Sequence, residues 1–248
     1  MFKNILSGKN VINIKSLLIM GFLLLIFNTR AEDKTINFVV GVAPPFINVP
    51  LPDNEVTGMA IEIIQQGFAN KNITTVFQVD DWNQAANRVD GEHVLSLWWQ
   101  KTKQRQKKWH FSQPVYKKEF VFLAHKKVRF YWQRLDQLRQ YKLGISRYQS
   151  YGDEFDNYIQ YLDVNYVNSS YNGISALVKQ DIDALLIDKA EAHYLLQYFD
   201  KKEQASVELQ STQVLHIEPY FIVCAKAFRN CNYLIEEFNS GLREMISS

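Results

Sequence analysis

Apolar and polar positions recur with two different periods along the first part of the chain. Residues 35–42, 73–79 and 94–99 form apolar runs or alternate every second position, as buried strands do. Residues 59–69 and 82–89 instead place apolar side chains three or four positions apart, as amphipathic helices do. This order of strand, helix, strand, helix, strand predicts an α/β sheet with parallel strands and crossover helices.

The same order recurs further along the chain. The pattern predicts strands at 119–125, 142–146, 166–167 and 184–187, and helices at 104–108, 135–140, 151–162, 173–178 and 190–199. The tail adds predicted strands at 213–217 and 220–225 and a helix at 233–246, whose apolar positions line one face. The sequence therefore predicts two α/β units.

The N-terminal segment has the parts of a secretory signal. Lys3, Lys9 and Lys15 precede an apolar core at 17–27, and small residues follow at the positions that a signal peptidase reads. We expect residues 1–31 to be removed on export, which predicts a periplasmic protein. A retained membrane anchor is the alternative, but the apolar core is shorter than the ~20 residues that span a bilayer.

Removal of the signal changes the charge balance. The whole sequence has 28 basic and 26 acidic residues, a net charge of +2, and the signal carries four of the basic residues and none of the acidic ones. The remaining chain has a net charge of −2, so a general attraction to nucleic acid is not expected. The basic run at 101–108 is a local feature.

Cys224 and Cys231 are the only cysteines of the chain. An exported protein meets an oxidising compartment, so a local disulfide between them is one interpretation. Two small buried apolar residues are the other, because spacing alone does not supply the geometry that a bridge requires.

Four blocks occur in the order in which a known protein family has them. They are Pro44-Pro45-Phe46, Val56-Thr57-Gly58-Met59, Thr102-Lys103-Gln104-Arg105 followed by Phe111-Ser112-Gln113-Pro114, and Gln180-Asp181-Ile182-Asp183-Ala184 leading to Asp188. Together they resemble the extracytoplasmic solute-binding proteins of ABC transporters, family 3, the polar amino acid type of type II periplasmic binding protein.

The resemblance implies a fold class and a domain arrangement. The expected fold is α/β, a two-lobed type II periplasmic-binding-protein fold in which each lobe is a mostly parallel sheet flanked by helices. Lobe 1 would comprise residues 32–120 and 218–248, lobe 2 residues 121–217, and two hinge strands would join them. Ligand is trapped when the lobes close by hinge bending.

Arg105 is the first candidate ligand-binding residue. It matches the family arginine that binds a ligand carboxylate, a role that suits the planar guanidinium because its parallel donors match two carboxylate oxygens. A solvated helix charge is the alternative, and we assign that ordinary role to the lysines of the same basic run.

Asp188 is the second candidate. It ends the apolar run 184–187, at the strand end where ligand sites of α/β folds form, and the resemblance gives it the role of pairing with a ligand ammonium. Its alternative role is to cap the helix that follows, which aspartate does well. Both roles can coexist.

Further ligand contacts are expected from Phe46, Trp98, Gln100, Tyr148, Gln149 and Ser150. Trp98 and Trp99 face opposite ways if the strand is regular, so that one can line the cleft while the other lies in the core. The family has a small residue at position 98 and Ser or Thr at position 100, and a Gly-Thr or Gly-Ser pair after the second-lobe strand. These departures indicate a bulkier, more aromatic pocket, and they raise the question whether the ligand is an ordinary α-amino acid.

The sequence thus predicts a periplasmic solute-binding protein that captures a small-molecule ligand, an amino acid or other small organic acid. The expected partner is an ABC permease, and a monomer without cofactor or metal is expected. An orphan protein that reports to a membrane sensor is an alternative, as is a cyclohexadienyl-dehydratase-like enzyme. The enzyme is disfavoured because the histidines are scattered and no catalytic motif occurs.

Overall fold

The structure is a computed structural model that describes residues 34–49, 55–147 and 149–247. The expected signal segment, residues 1–31, lies outside the described residues, and so does the candidate ligand contact Tyr148. None of the helices in the described ranges has the length and apolar character needed to cross a membrane.

The described chain alternates between strands and helices. The strands are Lys34–Val40 (β1), Ile73–Val79 (β2), Leu95–Trp99 (β3), Trp109–Phe111 (β4), Tyr116–His125 (β5), Lys142–Ser146 (β6), Asp163–Val167 (β7), Ala184–Asp188 (β8), Val207–Leu209 (β9) and His216–Ala225 (β10). The α-helices are Met59–Ala69 (α1), Trp82–Gly91 (α2), Lys103–Lys108 (α3), Asp153–Tyr158 (α4), Ser170–Val178 (α5), Lys189–Leu196 (α6), Lys201–Ser206 (α7) and Cys231–Ser247 (α8). Short 3-10 helices occur at Leu135–Gln140 and Ile159–Tyr161.

The sheet contains two parallel groups of strands. Its order is β2-β1-β3-β10-β5-β8-β6-β7, with β4 paired to β10 and β9 to β5. Strand β1 is parallel to β2 and β3, and β6 is parallel to β7 and β8. We call β1–β4 with α1–α3 and α8 the first half, and β6–β9 with α4–α7 the second half. The fold is α/β, as the sequence pattern predicts.

Two long antiparallel strands join the halves. Strand β10 pairs with β5 over residues 216–220 and with β3 and β4 from Phe221 onward. Strand β5 pairs with β10 over residues 116–120 and with β8 over residues 120–124. Each strand therefore belongs to both halves, and the expected lobe boundaries near residues 120 and 217 fall within these two strands.

Each half has an apolar core on both faces of its strands, which follows from the period of two in a strand. In β1, Phe38 packs in a cluster with α1 and α8, whereas the next residue, Val39, packs in a cluster with α2. In β5, Phe122 and Leu123 divide in the same way between two clusters of the second half. The helices thus cover both sides of the sheet.

The prediction of two strands at 213–217 and 220–225 was wrong, because β10 is one continuous strand. Pro219 suggests a break, since proline lacks the N–H that a ladder needs. In the structure Pro219 lies opposite Lys117. At that point, among the described strands, β10 pairs only with β5, so one edge of β10 tolerates the missing donor.

Other differences concern short elements. The helix predicted at 151–162 is shorter, because α4 begins only at Asp153, after Gly152 with a φ of 90°, and a 3-10 helix follows it. Strands β4 and β9 and helix α7 were not predicted, since pairing with a distant strand, rather than a long local pattern, creates the two short strands.

A disulfide joins Cys224, near the end of β10, to Cys231, the first residue of α8. The sulfur atoms are 1.94 Å apart and the Cα atoms 5.8 Å apart. Of the two interpretations of this pair, the structure has the bridge, and it lies within the first half.

Candidate functional site

A cavity of about 310 Å³ lies against the first half, and we call it the Arg105 cavity. It is lined by Ala43, Trp82, Trp98, Trp99, Gln100, Arg105, Lys118, Gln149 and Tyr220. The strand ends of β1 and β3 and the start of α3 supply most of this lining, while Gln149 comes from the loop after β6 of the second half. Such a volume is at the small end of the ~300–1,000 Å³ typical of ligand pockets.

The guanidinium of Arg105 is half-buried in this cavity. Thr102 caps α3 by accepting a hydrogen bond from the Arg105 N–H at 3.2 Å, which fixes the backbone of the first turn. Arg105 Nη1 donates to the Gln100 carbonyl at 3.1 Å, and Cζ lies 4.7 Å from the centre of the Trp99 ring. Burial lowers the pKa of Arg105, although a guanidinium remains charged.

Arg105 has no acidic partner within the part of the chain that the structure describes. Gln100 is the one hydrogen-bond acceptor found for its side chain there, although a guanidinium carries five N–H donors. A half-buried cation with free donors beside a cavity is suited to bind an anion from solution, and a carboxylate matches its fork geometry.

A second cavity, of about 330 Å³, lies against the second half, and we call it the Asp188 cavity. It is lined by Lys118, Phe120, Ser146, Gln149, Tyr151, Asn168, Ser169, Ser170, Leu186, Ile187, Asp188 and Glu191. Lys118 and Gln149 line both cavities. The two cavities therefore adjoin, and together they bring most of the candidate residues to one region between the halves.

Asp188 caps helix α6, which is the alternative role expected for it. Its Oδ1 accepts a hydrogen bond from the Glu191 N–H at 3.0 Å, and its Oδ2 accepts one from the Glu119 N–H at 3.1 Å. The residue is 0% exposed, and burial raises the pKa of its carboxyl, against the lowering effect of the bond from Glu191 and of the Lys118 charge. Both oxygens thus have partners inside the protein; the role towards a ligand ammonium stays a prediction.

Lys118 lies between the cavities in a group of aromatic rings. Its Nζ is 5.3 Å from the centre of the Phe46 ring, 5.9 Å from that of Trp98 and 5.4 Å from that of Tyr220. It also lies 3.9 Å from Oε2 of Glu191. We call Phe46, Trp98, Tyr220 and Glu191 the Lys118 cage. Aromatic faces within ~6 Å of an ammonium attract it electrostatically.

Trp98 is the central ring of this group and has an unusual backbone. Its ring stacks on those of Phe46, at 4.4 Å, and Tyr220, at 4.7 Å. Its φ is 74°, next to a register shift of the β3–β10 pairing, so the regular alternation assumed for Trp98 and Trp99 does not hold there. Both tryptophans are buried and both line the Arg105 cavity. Positive φ at a bulky residue costs ~1–3 kcal/mol and clusters at functional sites.

The remaining candidates take different places. Gln100 and Gln149 line the Arg105 cavity, and the Gln149 Nε2 donates a hydrogen bond to the Ser150 carbonyl at 2.9 Å. Phe46 is 1% exposed and lies beneath Trp98 rather than in the lining of either cavity. Ser150 donates its hydroxyl to Asp156 at 2.5 Å and is absent from both linings.

Sequence reasoning missed Lys118, Glu191 and Tyr220. A signal for Lys118 was present, since Lys118, Phe120 and Phe122 share one face of β5 by the period of two, and a lysine on an apolar face is unusual. Lys118 is 8% exposed. The predicted strand began at residue 119, which placed Lys118 in a loop and hid this relationship.

A larger cavity lies elsewhere in the second half. Its volume is about 790 Å³, and Trp132, Arg134, Tyr158 and His216 are among the residues that line it. None of the candidate residues that the structure describes is part of its lining.

Over the described ranges no group of His, Cys, Asp and Glu has the arrangement of a metal site.

The comparison with protein families decides the identification. The family model for bacterial extracellular solute-binding proteins, family 3, matches residues 37–248. The chain belongs to this family. The resemblance read from four short blocks is thereby confirmed, and the family is one of extracellular solute-binding proteins. Comparison with curated proteins gave no significant match.

Solved structures similar to this family 3 protein share its fold. The arginine-bound form of truncated ArgBP from T. maritima is 19% identical, with 85% of this chain and 96% of that chain covered and a TM-score of 0.61. Substrate binding domain 2 of Lactococcus lactis GlnP, in an open conformation, is 16% identical, with 87% and 91% covered and a TM-score of 0.67. A histidine kinase sensor domain with similarity to periplasmic binding proteins is 13% identical, with 87% and 92% covered and a TM-score of 0.66.

Proposed function

We propose that this family 3 protein is a periplasmic receptor that captures a small carboxylate-bearing solute between its two halves. The observation that carries the proposal is the half-buried Arg105 guanidinium, which faces a cavity of about 310 Å³ and has no acidic partner among the described residues. In a solute-binding family, such a group is best used to bind the carboxylate of the solute.

Capture would involve both halves. The Arg105 cavity is built mainly by the first half, yet it is completed by Gln149 from the second half and by Lys118 and Tyr220 from the two joining strands. A solute that contacts both halves stabilises the arrangement in which they lie close together, and so shifts the population towards the closed state. We propose β5 and β10 as the hinge, with lobe boundaries near residues 120 and 217.

Delivery to an ABC permease is the use we propose for the captured solute. A further structure of the same fold supports it, since that protein is a substrate binding domain of a putative amino acid ABC transporter from Streptococcus pneumoniae, with a TM-score of 0.68. A ligand-sensing role without transport is the second candidate, because a histidine kinase sensor domain has the same fold with a TM-score of 0.66. Lobe closure serves either partner.

A thermal-shift screen against amino acids and other small organic acids tests the proposal. Any solute that binds the folded protein raises its apparent stability, by ~2.7 kcal/mol at a concentration of 100 times Kd. We expect at least one carboxylate to raise Tm and Arg105→Ala to abolish that shift while the protein stays folded.

Lys103→Ala, which removes an exposed cation from the same helix α3, is the matched control and should keep the shift. An Arg105→Ala protein that keeps full affinity for the acid contradicts the proposal.

A further inference from the structure

The cage around Lys118 has the composition of a site that binds an ammonium group. Three aromatic rings face the Lys118 Nζ within 6 Å of their centres, and the Glu191 carboxylate lies 3.9 Å away. Aromatic faces with one carboxylate are the groups that recognise an organic cation. The cage is therefore filled by an ammonium that belongs to the protein itself.

The acidic groups beside the cavities also have partners within the protein. Asp188 accepts N–H bonds from Glu191 and Glu119 with its two oxygens, and Glu191 pairs with Lys118. These two carboxylates are the acidic residues among the described lining of the Asp188 cavity. A ligand ammonium entering here would have to displace Lys118 or approach it as a like charge, and close like charges repel.

The lining of the Arg105 cavity carries positive charge. Its described lining includes the cations Arg105 and Lys118 and no acidic residue. Its neutral polar groups are Gln100, Gln149 and the Tyr220 hydroxyl, and a phenol hydroxyl is protonated near neutral pH and can donate a hydrogen bond. The electrostatic character of this cavity suits a ligand with negative charge and without a compensating positive one.

We propose that the solute is a small organic acid without an ammonium group, and that Lys118 is the residue that determines this specificity. This inference rests on the proposed function, because it assumes that the solute carboxylate binds Arg105. Lys118 occupies the aromatic and acidic cage that suits a ligand ammonium, and it offers a second positive contact to an acid in the Arg105 cavity. A dicarboxylate binds Arg105 with one carboxylate and Lys118 with the other. A monocarboxylate binds Arg105 and packs against the aromatic rings that line the cavity.

The test uses pairs of acids that differ only in the ammonium group. Succinate is compared with L-aspartate, glutarate with L-glutamate, and 3-phenylpropanoate with L-phenylalanine, by thermal shift and then by calorimetric titration of the wild-type protein. We expect the member without the ammonium to bind at least tenfold more tightly in every pair that gives a shift.

Lys118→Ala empties the cage and should reverse the preference, because Phe46, Trp98, Tyr220 and Glu191 then accept the ammonium of the amino acid. Lys117→Ala is the matched control, since Lys117 precedes Lys118 in β5 and is exposed. It should keep the wild-type preference. If Lys118→Ala fails to fold, Lys118→Met keeps most of the side-chain volume, and it should lose at least tenfold in affinity for the dicarboxylates.

The outcomes separate this inference from the proposed function. If amino acids bind the wild-type protein as tightly as their partners, the inference fails and the receptor function stands. If no acid of either kind raises Tm, the proposed function itself fails. A Lys118→Ala protein with the wild-type order of affinities also contradicts the assignment of specificity to Lys118.

Discussion

The guanidinium of Arg105 lies over the indole ring of Trp99, with Cζ 4.7 Å from the ring centre. Trp99 is itself held in place, because its Nε1 donates to Ser96 Oγ at 2.7 Å and that hydroxyl donates to the Val39 carbonyl at 2.6 Å. A chain of contacts thus runs from strand β1 to the guanidinium. It positions the guanidinium of Arg105, which has no acidic partner among the residues that the structure describes, beside the cavity.

The first prediction concerns the ring beneath Arg105. Trp99→Phe keeps an aromatic face but weakens the attraction between the ring and the Arg105 guanidinium. A cation–π interaction of this kind is worth ~0.5–1 kcal/mol at exposed sites and more when it is desolvated. We expect the affinity for the acid that binds best to fall about two- to fivefold. Calorimetric titration measures this change. An unchanged affinity would show that Trp99 does not position the guanidinium.

The second prediction concerns Gly41, which makes room for Trp82 in the wall of the Arg105 cavity. A Cβ at position 41 would overlap the Trp82 ring, so the ring must move. We expect Gly41→Ala to cost about 1–3 kcal/mol in the free energy of unfolding, as overpacking does, and to weaken acid binding.

Gly91→Ala is the control for this change, since a Cβ there meets no atom within 4 Å. Chemical denaturation and titration of both variants provide the comparison. If the two alanine variants have the same free energy of unfolding and the same affinity for the acid, Gly41 is not required for the packing of Trp82.

The third prediction concerns the buried carboxyl of Asp188. Burial raises its pKa in the folded protein above the ordinary value of 3.8, so the folded state binds a proton at a pH where the unfolded state does not. Its contribution to stability is therefore full below pH 3.8 and declines as the pH rises through the raised pKa. Asparagine at this position has no such titration.

We expect the free energy of unfolding of the wild type, minus that of Asp188→Asn, to increase as the pH is lowered from about 7 to about 4. Urea denaturation of both proteins at four pH values measures this difference. The other titratable residues are the same in both proteins, so their contributions to the pH dependence cancel. If the difference instead decreases on acidification, the pKa of Asp188 is lowered in the folded protein. The two N–H bonds to its carboxylate would then have a larger effect on the pKa than burial has.

The sequence was a good guide to elements whose pattern is local. The run ALLID of β8 and the amphipathic spacing of α1 are visible in the chain itself, and so is the aspartate that caps α6. The order of motifs identified the family, and Arg105 became a candidate because its motif is local to the start of α3.

The parts that were missed depend on contacts between distant segments. The continuity of β10 through Pro219 depends on its pairing with β5, and the positive φ of Trp98 depends on the register shift beside β10. Lys118 resembles a surface lysine in the run YKKE, and only the packing of Phe46, Trp98 and Tyr220 around it shows its role. A pattern of hydrophobicity does not contain such three-dimensional neighbours.

A crystal structure of the protein with the acid that stabilises it most is the most direct test of the central claim. We predict that the acid lies in the Arg105 cavity, with its carboxylate oxygens about 2.7–2.9 Å from the guanidinium nitrogens of Arg105. An acid bound instead in the larger cavity beside Trp132 and Arg134, with Arg105 making no contact to it, would contradict the account.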